Sequence, residues 1–439
     1  MIDQKYIDMI LDQVDTSEVI GEVVNLTKKG TRMWGCCPFH KEDTPSFCVN
    51  LANNLWYCHG CHEGGNVINF VMKYDNLPYP MAVKKLLRDR LHIELEDSAL
   101  QSTPEEEARH KKLESQRIIN KQLCDFFFEQ LYRDTPEAKA AQSYIKNQRH
   151  WDDDFVKEMR IGLAPDSSRA VIEFAEKKGL NTELMQEMGI LVMSEKSHAL
   201  YCVYRNRIMI PIRDRYSNIE GFTARTLDEE KDQRKYINSS NSDLYDKSRS
   251  IFGISMAMRE AKRTEKMYLV EGGPDVLKLQ SVGITNTIAS LGGAWTKEQF
   301  QKLRDCRLQS ATLCFIPDSD VPKRGEKLGA GFQNVLKNGA LAMQCGFTVT
   351  VREIPNDLEV EHPKKVDPDE FIDTPARLAS LTEKEFLLWY VEKKYDKEAV
   401  MEEKQKVIEE VADLLILIKS EETSLDRKSV VSGKSVDLG

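Results

Sequence analysis

Tyr268-Leu269-Val270-Glu271-Gly272-Gly273-Pro274-Asp275 is the stretch on which the fold turns. Three bulky, strand-favouring residues run into an acid, a glycine pair and a proline. Proline cannot donate to a sheet ladder but suits a first helical turn, so the segment reads as a strand that ends at Glu271 and hands over to a helix. The same grammar recurs downstream. Leu313-Cys314-Phe315-Ile316 ends at Pro317-Asp318-Ser319-Asp320, and Asp367-Pro368-Asp369 follows a strand near Val351. Strands are expected at Met267–Val270, Thr285–Ala289, Ala311–Ile316 and Phe347–Ile354, with helices at about 274–281, 296–304 and 327–344. Such alternation implies a mostly parallel sheet. Sites in open α/β sheets gather at the carboxyl ends of strands. Three acidic elements arriving there would crowd negative charge into a small volume, which predicts bound divalent cations, Mg2+ or Mn2+ given the hard oxygen donors. A solvated acidic rim is the plainer reading of any one pair.

Upstream lies a basic strip. Tyr204-Arg205-Asn206-Arg207 opens a β-rich region (Tyr201 to Ile212, then Ile219 to Thr226, with a turn at Ser217-Asn218), followed by Arg213, Arg215 and Arg225. Lys235-Tyr236-Ile237-Asn238-Ser239 and Lys247 lie beyond. A basic strip feeding a carboxylate–metal site suits phosphate chemistry, with cations on phosphates and metal at the reacting oxygens. Surface arginines beside strands are the alternative.

Five of the ten cysteines fall within the first 61 residues. Two residues separate Cys37 from His40 and two separate Cys58 from Cys61, and each short spacer lets one tight turn aim two donors at one ion. Joined by strands at Pro45–Asn50 and Leu55–Tyr57, the two turns predict a closed, structural Zn2+ site in a zinc ribbon. Cys36, Cys48, His59 and His62 are alternative donors; Cys36 would need a longer spacer and Cys48 sits mid-strand. Exposed aromatics with Lys28, Lys29, Arg32 and Lys41 suggest contact with single-stranded DNA, against the plainer reading of a solvated basic edge. Cys124, Cys202, Cys306, Cys314 and Cys345 read as buried small hydrophobes.

The chain has 439 residues, 41% hydrophobic and 30% charged, with a net charge of −9. That is a soluble globular composition with room for two to four domains. No apolar run is long enough to span a membrane and the start does not read as a secretory signal, so a cytoplasmic protein is expected. Thr103-Pro104-Glu105-Glu106 reads as a capped helix start running to about Arg133, with Leu123, Phe126, Phe127 and Leu131 on its apolar face. Residues 376–420 read as helices, with Val407, Ile408, Val411, Leu414 and Leu415 as a stripe.

Taken together, these motifs resemble those of bacterial DnaG-type primases over about residues 1–375. The Cys37/His40/Cys58/Cys61 spacing, with Thr44-Pro45-Ser46-Phe47 and Gly64-Gly65-Asn66, is similar to that family's zinc-binding domain. Residues Arg160–Asp166, Arg205–Ile212 and Lys235–Ser239 resemble successive motifs of its RNA polymerase domain, and Glu271, Asp318/Asp320 and Asp367/Asp369 its Toprim acidic pattern. The resemblance implies an α/β fold, α+β overall. An N-terminal zinc ribbon (1–94) and a linker (95–103) would precede a mixed α/β polymerase core (104–265) with a Toprim parallel sheet (266–375). Beyond the reach of the resemblance, the patterning reads 376–427 as a helical C-terminal segment and the Ser/Val/Gly-rich, aperiodic stretch 428–439 as a disordered tail.

It further implies a metal-binding, catalytic cluster of Glu271, Asp275, Asp318, Asp320, Asp367 and Asp369. Arg205, Arg207, Arg225, Lys235, Asn238 and Lys247 would contact nucleotide or nucleic acid. The activity implied is synthesis of short RNA primers during DNA replication, on a single-stranded DNA template, from ribonucleoside triphosphates, with one structural Zn2+ and catalytic Mg2+ or Mn2+. The RNA primer–DNA hybrid and a replicative helicase would be further partners of a monomer that is nucleoid-associated during replication and makes no membrane contact.

Three features depart from the family. Val321–Lys327 is inserted before Gly329-Ala330-Gly331, the Glu271 motif carries Pro274 in place of an aromatic pattern, and the stretch after 375 reads as too short for a full helicase-binding domain. Toprim nucleases and topoisomerases are the second enzyme class, although no winged-helix segment with a nucleophilic tyrosine is legible. A non-catalytic zinc-ribbon adaptor is a third class, disfavoured by the complete acidic set.

Overall fold

The computed structural model describes residues 2, 4–30, 32–51, 54–61, 63–95, 104–195, 198–228, 234–292, 294–306, 308–322, 328–355, 365–395 and 400–431. It divides into two compact units, Met1–Ser115 and Gln116–Gly439. Most of the expected linker (95–103), residues 323–327 of the insertion and 432–439 of the expected tail lie outside the described residues.

The first unit is built on a five-stranded antiparallel sheet in sequential order: β1 (Thr27–Lys29), β2 (Arg32–Gly35), β3 (Phe47–Asn50), β4 (Leu55–Cys58) and β5 (Gly64–Gly65). Strand alternation gives the sheet two faces. One buries Phe47, Val49, Trp56 and Cys58 with Ile20, Val24 and Phe70. On the other, Trp34 stands opposite Cys48, and Cys48 opposite Tyr57. The helix Val67–Tyr74 starts on a reciprocal cap, Asn66 accepting from the Asn69 N–H at 3.0 Å and Asn69 from the Asn66 N–H at 3.1 Å. It joins helices Gln4–Gln13 and Tyr79–Leu91 around Ile10, Val67, Ile68, Val83 and Leu86.

In the second unit the strands are β6 (Gly162–Ala164), β7 (Leu191–Met193), β8 (Leu200–Cys202), β9 (Arg207–Arg213), β10 (Ile219–Thr226), β11 (Tyr236–Asn238), β12 (Ile251–Phe252), β13 (Lys266–Val270), β14 (Thr287–Ser290), β15 (Thr312–Phe315), β16 (Val349–Arg352) and β17 (Glu383–Glu385). They form a β7-β8 pair, a four-stranded antiparallel sheet in the order β11-β10-β9-β6, and a six-stranded sheet in the order β12-β14-β13-β15-β16-β17. In the larger sheet β14, β13, β15 and β16 are parallel, which carries their carboxyl ends to one edge; β12 and β17 are antiparallel flanks. The helix Pro104–Leu131 buries Leu123, Phe126, Phe127 and Leu131. The side chain of Glu106 and all of Thr103 lie outside the described residues.

Four expectations change. Residues 428–431, read as the start of a disordered tail, continue the helix Met401–Val431. The β-rich run Tyr201–Ile212 is broken between β8 and β9, where Asn206 takes a left-handed φ of 47°. Residues 376–420 are not wholly helical: Glu383–Glu385 is a strand, although its acids have little strand propensity. Pairing with β16 and two cations hold it, Glu383 accepting from Lys266 and Arg352, each at 2.8 Å. The stripe on the helix Met401–Val431 is also narrower than expected. Leu414 is buried and Val411 partly so, while Ile408 and Leu415 face solvent. The five scattered cysteines are all buried. Among the described residues no helix is long and apolar enough to cross a membrane.

Candidate functional site

Two clusters of potential ligands emerge, one in each unit. In the first, the turn after β2 carries Cys37 and His40, and the turn after β4 carries Cys58 and Cys61. One donor atom from each lies within 4.8 Å of all the others. Cys37 Sγ is 3.9 Å from Cys61 Sγ, and Cys58 Sγ is 3.8 Å from His40 Nδ1. Donors around a tetrahedral zinc ion, at ~2.0–2.3 Å from it, stand roughly 3.3–3.8 Å apart, so this set fits Zn2+. Burial pushes the Cys37 thiol up, and cationic zinc would reverse that by favouring thiolate. Cys36, Cys48 and His59 are outside the group, and His62 lies outside the described residues.

Glu42 was not legible as part of this centre. Its Oε2 lies 3.1 Å from His40 Nε2, while its Oε1 accepts from the Cys37 and Ser46 N–H groups at 2.6 and 3.2 Å. A carboxylate on the far ring nitrogen orients a ligating imidazole. Its only sequence signal is its position two residues after His40.

In the second unit, Glu271 leaves the end of β13 and Asp318 follows β15, its direct parallel neighbour. Asp275 sits in the first turn of the helix Gly273–Ser281, its Oδ2 accepting from the Gly272 N–H at 3.0 Å and its Oδ1 from the Asp369 N–H at 3.3 Å. Asp367 opens the short helix Pro368–Phe371, and a bridge between Ser319 and Val366 (N to O 2.9 Å) ties that segment to the Asp318 loop. Gly331 closes the cluster. A Cβ there would lie 2.5 Å from the Asp318 carbonyl oxygen and 2.7 Å from Glu271 Oε1, while its N–H donates to Asp320 Oδ2 at 2.8 Å. All six carboxylates therefore converge.

The electrostatics are those of an undercompensated anion group. Burial, then the charge of Glu271, pushes the Asp318 carboxyl up to about 7. Burial and Asp320 raise Glu271; burial and Asp318 raise Asp275 well above the carboxylate range. Burial also raises Asp369, against the pull of Arg149. Glu271 Oε1 and Asp318 Oδ1 are buried with no hydrogen-bond partner. Hard, orphaned oxygens of this kind suit a divalent cation with oxygen ligands. With Lys365 among them, no three of these described carboxylates bring ligand atoms within 4.8 Å of one another, as the zinc donors do.

Two basic residues flank the cluster. Lys365 Nζ reaches Asp318 Oδ2 at 2.5 Å and Asp367 Oδ1 at 3.0 Å. Arg149 bridges Asp369 at 2.8 Å and donates to the Tyr144 and Tyr236 hydroxyls. Neither stands in a motif, and Arg149 meets Asp369 across 220 residues of chain.

The basic strip divides. Arg207 and Arg225 are buried, which corrects the expectation that they face nucleic acid. Arg207 is 1% exposed and donates to the Ala224 and Arg234 carbonyls. Arg225 donates to the Tyr144 hydroxyl and the Thr226 carbonyl, its guanidinium over the Tyr144 and Tyr236 rings. Both lie in strands covered on both faces, so their side chains meet protein rather than solvent. Arg205 is exposed and pairs with Asp166 at 3.2 Å; Lys235 and Lys247 are exposed. Asn238 donates to the Leu291 carbonyl at 3.0 Å, and a Cβ on Gly292 would lie 3.2 Å from Lys247 Nζ. Leu291 and Gly292 follow β14, so Asn238 and Lys247 stand at the same sheet edge as Glu271.

The family model for the CHC2 zinc finger matches residues 2–103, and that for the N-terminal domain of the DNA primase catalytic core matches residues 126–258. The chain belongs to the DnaG-type primases. It is 32% identical over 371 residues to a DNA primase of Staphylococcus aureus (strain COL), covering 84% of this chain and 58% of that one. A DNA primase of Staphylococcus epidermidis is 31% identical over 372 residues, with 84% and 59% covered. The chain thus spans a little under three-fifths of the length of these curated relatives. Among solved structures, the zinc-binding and RNA polymerase domains of the Aquifex aeolicus primase share 28% identity over 93% of this chain and 92% of that one, with a TM-score of 0.62. A DnaG primase catalytic domain solved with ssDNA shares the fold alone, at 22% identity and a TM-score of 0.56 over 74% of this chain and 99% of that one. The acidic strand ends of this primase-family chain lie beyond both matched segments.

Proposed function

We propose that the chain is a DNA-directed RNA polymerase of the primase type, making short RNA primers on single-stranded DNA from ribonucleoside triphosphates. The observation that carries this reading is the pair of orphaned, buried oxygens, Glu271 Oε1 and Asp318 Oδ1, arriving from adjacent parallel strands. Glu271, Asp318, Asp320 and Asp367 would hold Mg2+ or Mn2+, with Asp275 and Asp369 shaping the cluster. The ion, once bound, would supply Lewis acidity that lowers the pKa of an attacking 3′-hydroxyl and neutralises charge on the leaving pyrophosphate.

The chain's own residues have separable tasks in this scheme. Exposed Lys235 and Lys247 would hold triphosphate or template phosphates at the same sheet edge, and Arg205 would extend that contact. Asn238, anchored on the Leu291 carbonyl, would orient the strand that follows Lys235. Holding two nucleotides together for the first bond is chiefly an entropic problem, and fixed cations lessen it. In the ribbon unit, Trp34 stacks on His59 (5.7 Å between centroids) and Tyr57 meets His59 edge-on (5.0 Å) beside exposed Lys28 and Lys29. Aromatic platforms with flanking cations suit stacked single-stranded bases.

The test is primer synthesis by the full zinc-loaded chain on a panel of single-stranded templates with labelled ribonucleotides and Mg2+. Wild-type protein makes short RNA, and Asp318→Asn lowers the yield by at least about a hundredfold. Equal yields would overturn the reading, and shortening of a labelled template would make the chain a nuclease.

A further inference from the structure

Lys365 occupies a position that no motif assigns. Its Nζ contacts three carboxylates at once: Asp318 Oδ2 at 2.5 Å, Asp367 Oδ1 at 3.0 Å and Asp320 Oδ1 at 3.5 Å. The backbone delivers it there. Val366 bridges Ser319, the residue between the two aspartates, so the residue before Val366 starts its side chain beside the Asp318–Asp320 loop. The Lys365 side chain is 48% exposed whereas that of Asp318 is 7% exposed. The ammonium thus approaches from solvent and has a way back to it.

We propose that Lys365 is a tethered counter-cation, which holds the cluster together when no metal is bound and competes with the divalent ion for the same carboxylate oxygens. This rests on the metal reading above. A lysine ammonium is a compact monovalent charge on a flexible stem. It neutralises only part of the cluster, and Glu271 Oε1 and Asp318 Oδ1 stay unpartnered with it in place. A divalent ion engages those oxygens as well, so it displaces the ammonium, but it binds against the contacts that Lys365 gives up. Arg149 does not share this role, because it pairs with Asp369, one residue beyond the short helix's proline, and is locked between Tyr144 and Tyr236.

Removing the ammonium therefore has two opposed effects, a weaker metal-free fold and tighter metal binding. A residue that merely supports the fold would give only the first, and a residue that helps to hold the metal would give the reverse of the second.

The experiment measures Mn2+ binding to the full, zinc-loaded chain by the loss of the free-ion electron paramagnetic resonance signal, for wild type, Lys365→Gln and Lys365→Arg. Lys365→Gln binds Mn2+ about tenfold more tightly than wild type, the equivalent of one charge-assisted contact no longer displaced. Lys365→Arg keeps the positive charge and stays within about threefold of wild type. Without added Mn2+, the core of Lys365→Gln melts below that of wild type, and saturating Mn2+ closes the gap. Measurable binding of equal strength in all three proteins, or weaker binding by Lys365→Gln, overturns the role given to Lys365 and leaves the metal site standing. No Mn2+ binding by any of them overturns the metal site and this inference with it.

Discussion

The zinc centre and the acidic cluster solve the problem of gathered anionic groups in opposite ways. Four donors on two turns form the zinc centre, and Glu42 completes it by engaging His40 and the Cys37 N–H. It is closed: the ion it fits has no place left for a substrate. The acidic cluster draws six carboxylates from distant strand ends and leaves two buried oxygens orphaned, with Lys365 and Arg149 only partly offsetting the charge. A closed set turns metal binding into folding energy. An open set holds unrelieved repulsion, which a cation and its phosphate ligands can relieve while chemistry takes place.

The largest effect that would break this contrast is at the closed site. Cys61→Ser removes one of four zinc ligands, and structural zinc is worth on the order of 10 kcal/mol of folding energy. Zinc release on a chelating dye and loss of the first unit's protease resistance are expected, with the second unit's calorimetric transition retained. Unchanged metal content would mean that the ligand set is wrong.

At the open site, close backbone approach matters as well as the ligands themselves. Gly331→Ala forces a Cβ to within 2.5 Å of the Asp318 carbonyl and 2.7 Å of Glu271 Oε1. Displacing reacting groups by about an ångström costs roughly a hundredfold in rate, so primer synthesis should fall by that order while far-ultraviolet circular dichroism is unchanged. Activity within threefold of wild type would show that the cluster tolerates loosening.

The smallest effect is a pH slope. Asp318 sits at about 7 in the folded chain against an ordinary 3.8, because burial and Glu271 disfavour its charge. The folded state therefore binds the proton more tightly than the unfolded one. Its stabilising contribution is intact below about 3.8 and is lost as pH rises through about 7, at no more than about 1.4 kcal/mol per pH unit for one proton. Zinc binding slopes the other way, since its thiols must lose protons. Melting of the metal-free acidic site, followed through the second unit's transition from pH 4.5 to 8, should fall with pH in wild type and flatten in Asp318→Asn. Parallel curves would remove Asp318 as the titrating group.

Where chemistry and spacing are local, the sequence was readable. Paired donors with two residues between them mark a tight turn, and Val270-Glu271 or Ile316-Pro317-Asp318 mark a strand that stops at an acid. These patterns anticipated the four zinc donors' convergence, the parallel core and the arrival of Glu271 and Asp318 from neighbouring strands. Reading failed where a neighbour overrode composition. Glu383–Glu385 looks helical or solvated and is a strand, because Lys266 and Arg352 balance Glu383 on the edge of β16. Arg207 and Arg225 look like a phosphate-binding strip, yet carbonyls and tyrosines surround them.

By itself, then, the amino-acid order determined which residues can chelate, which turns can aim them and which strands alternate with helices, since each depends on atoms a few residues apart. Only the tertiary structure decided that Arg149 reaches Asp369 across 220 residues and that Lys365 lies among three aspartates. The reason is physical: burial and counter-charge belong to whatever elements pack nearby, and a residue's chain neighbours do not specify them.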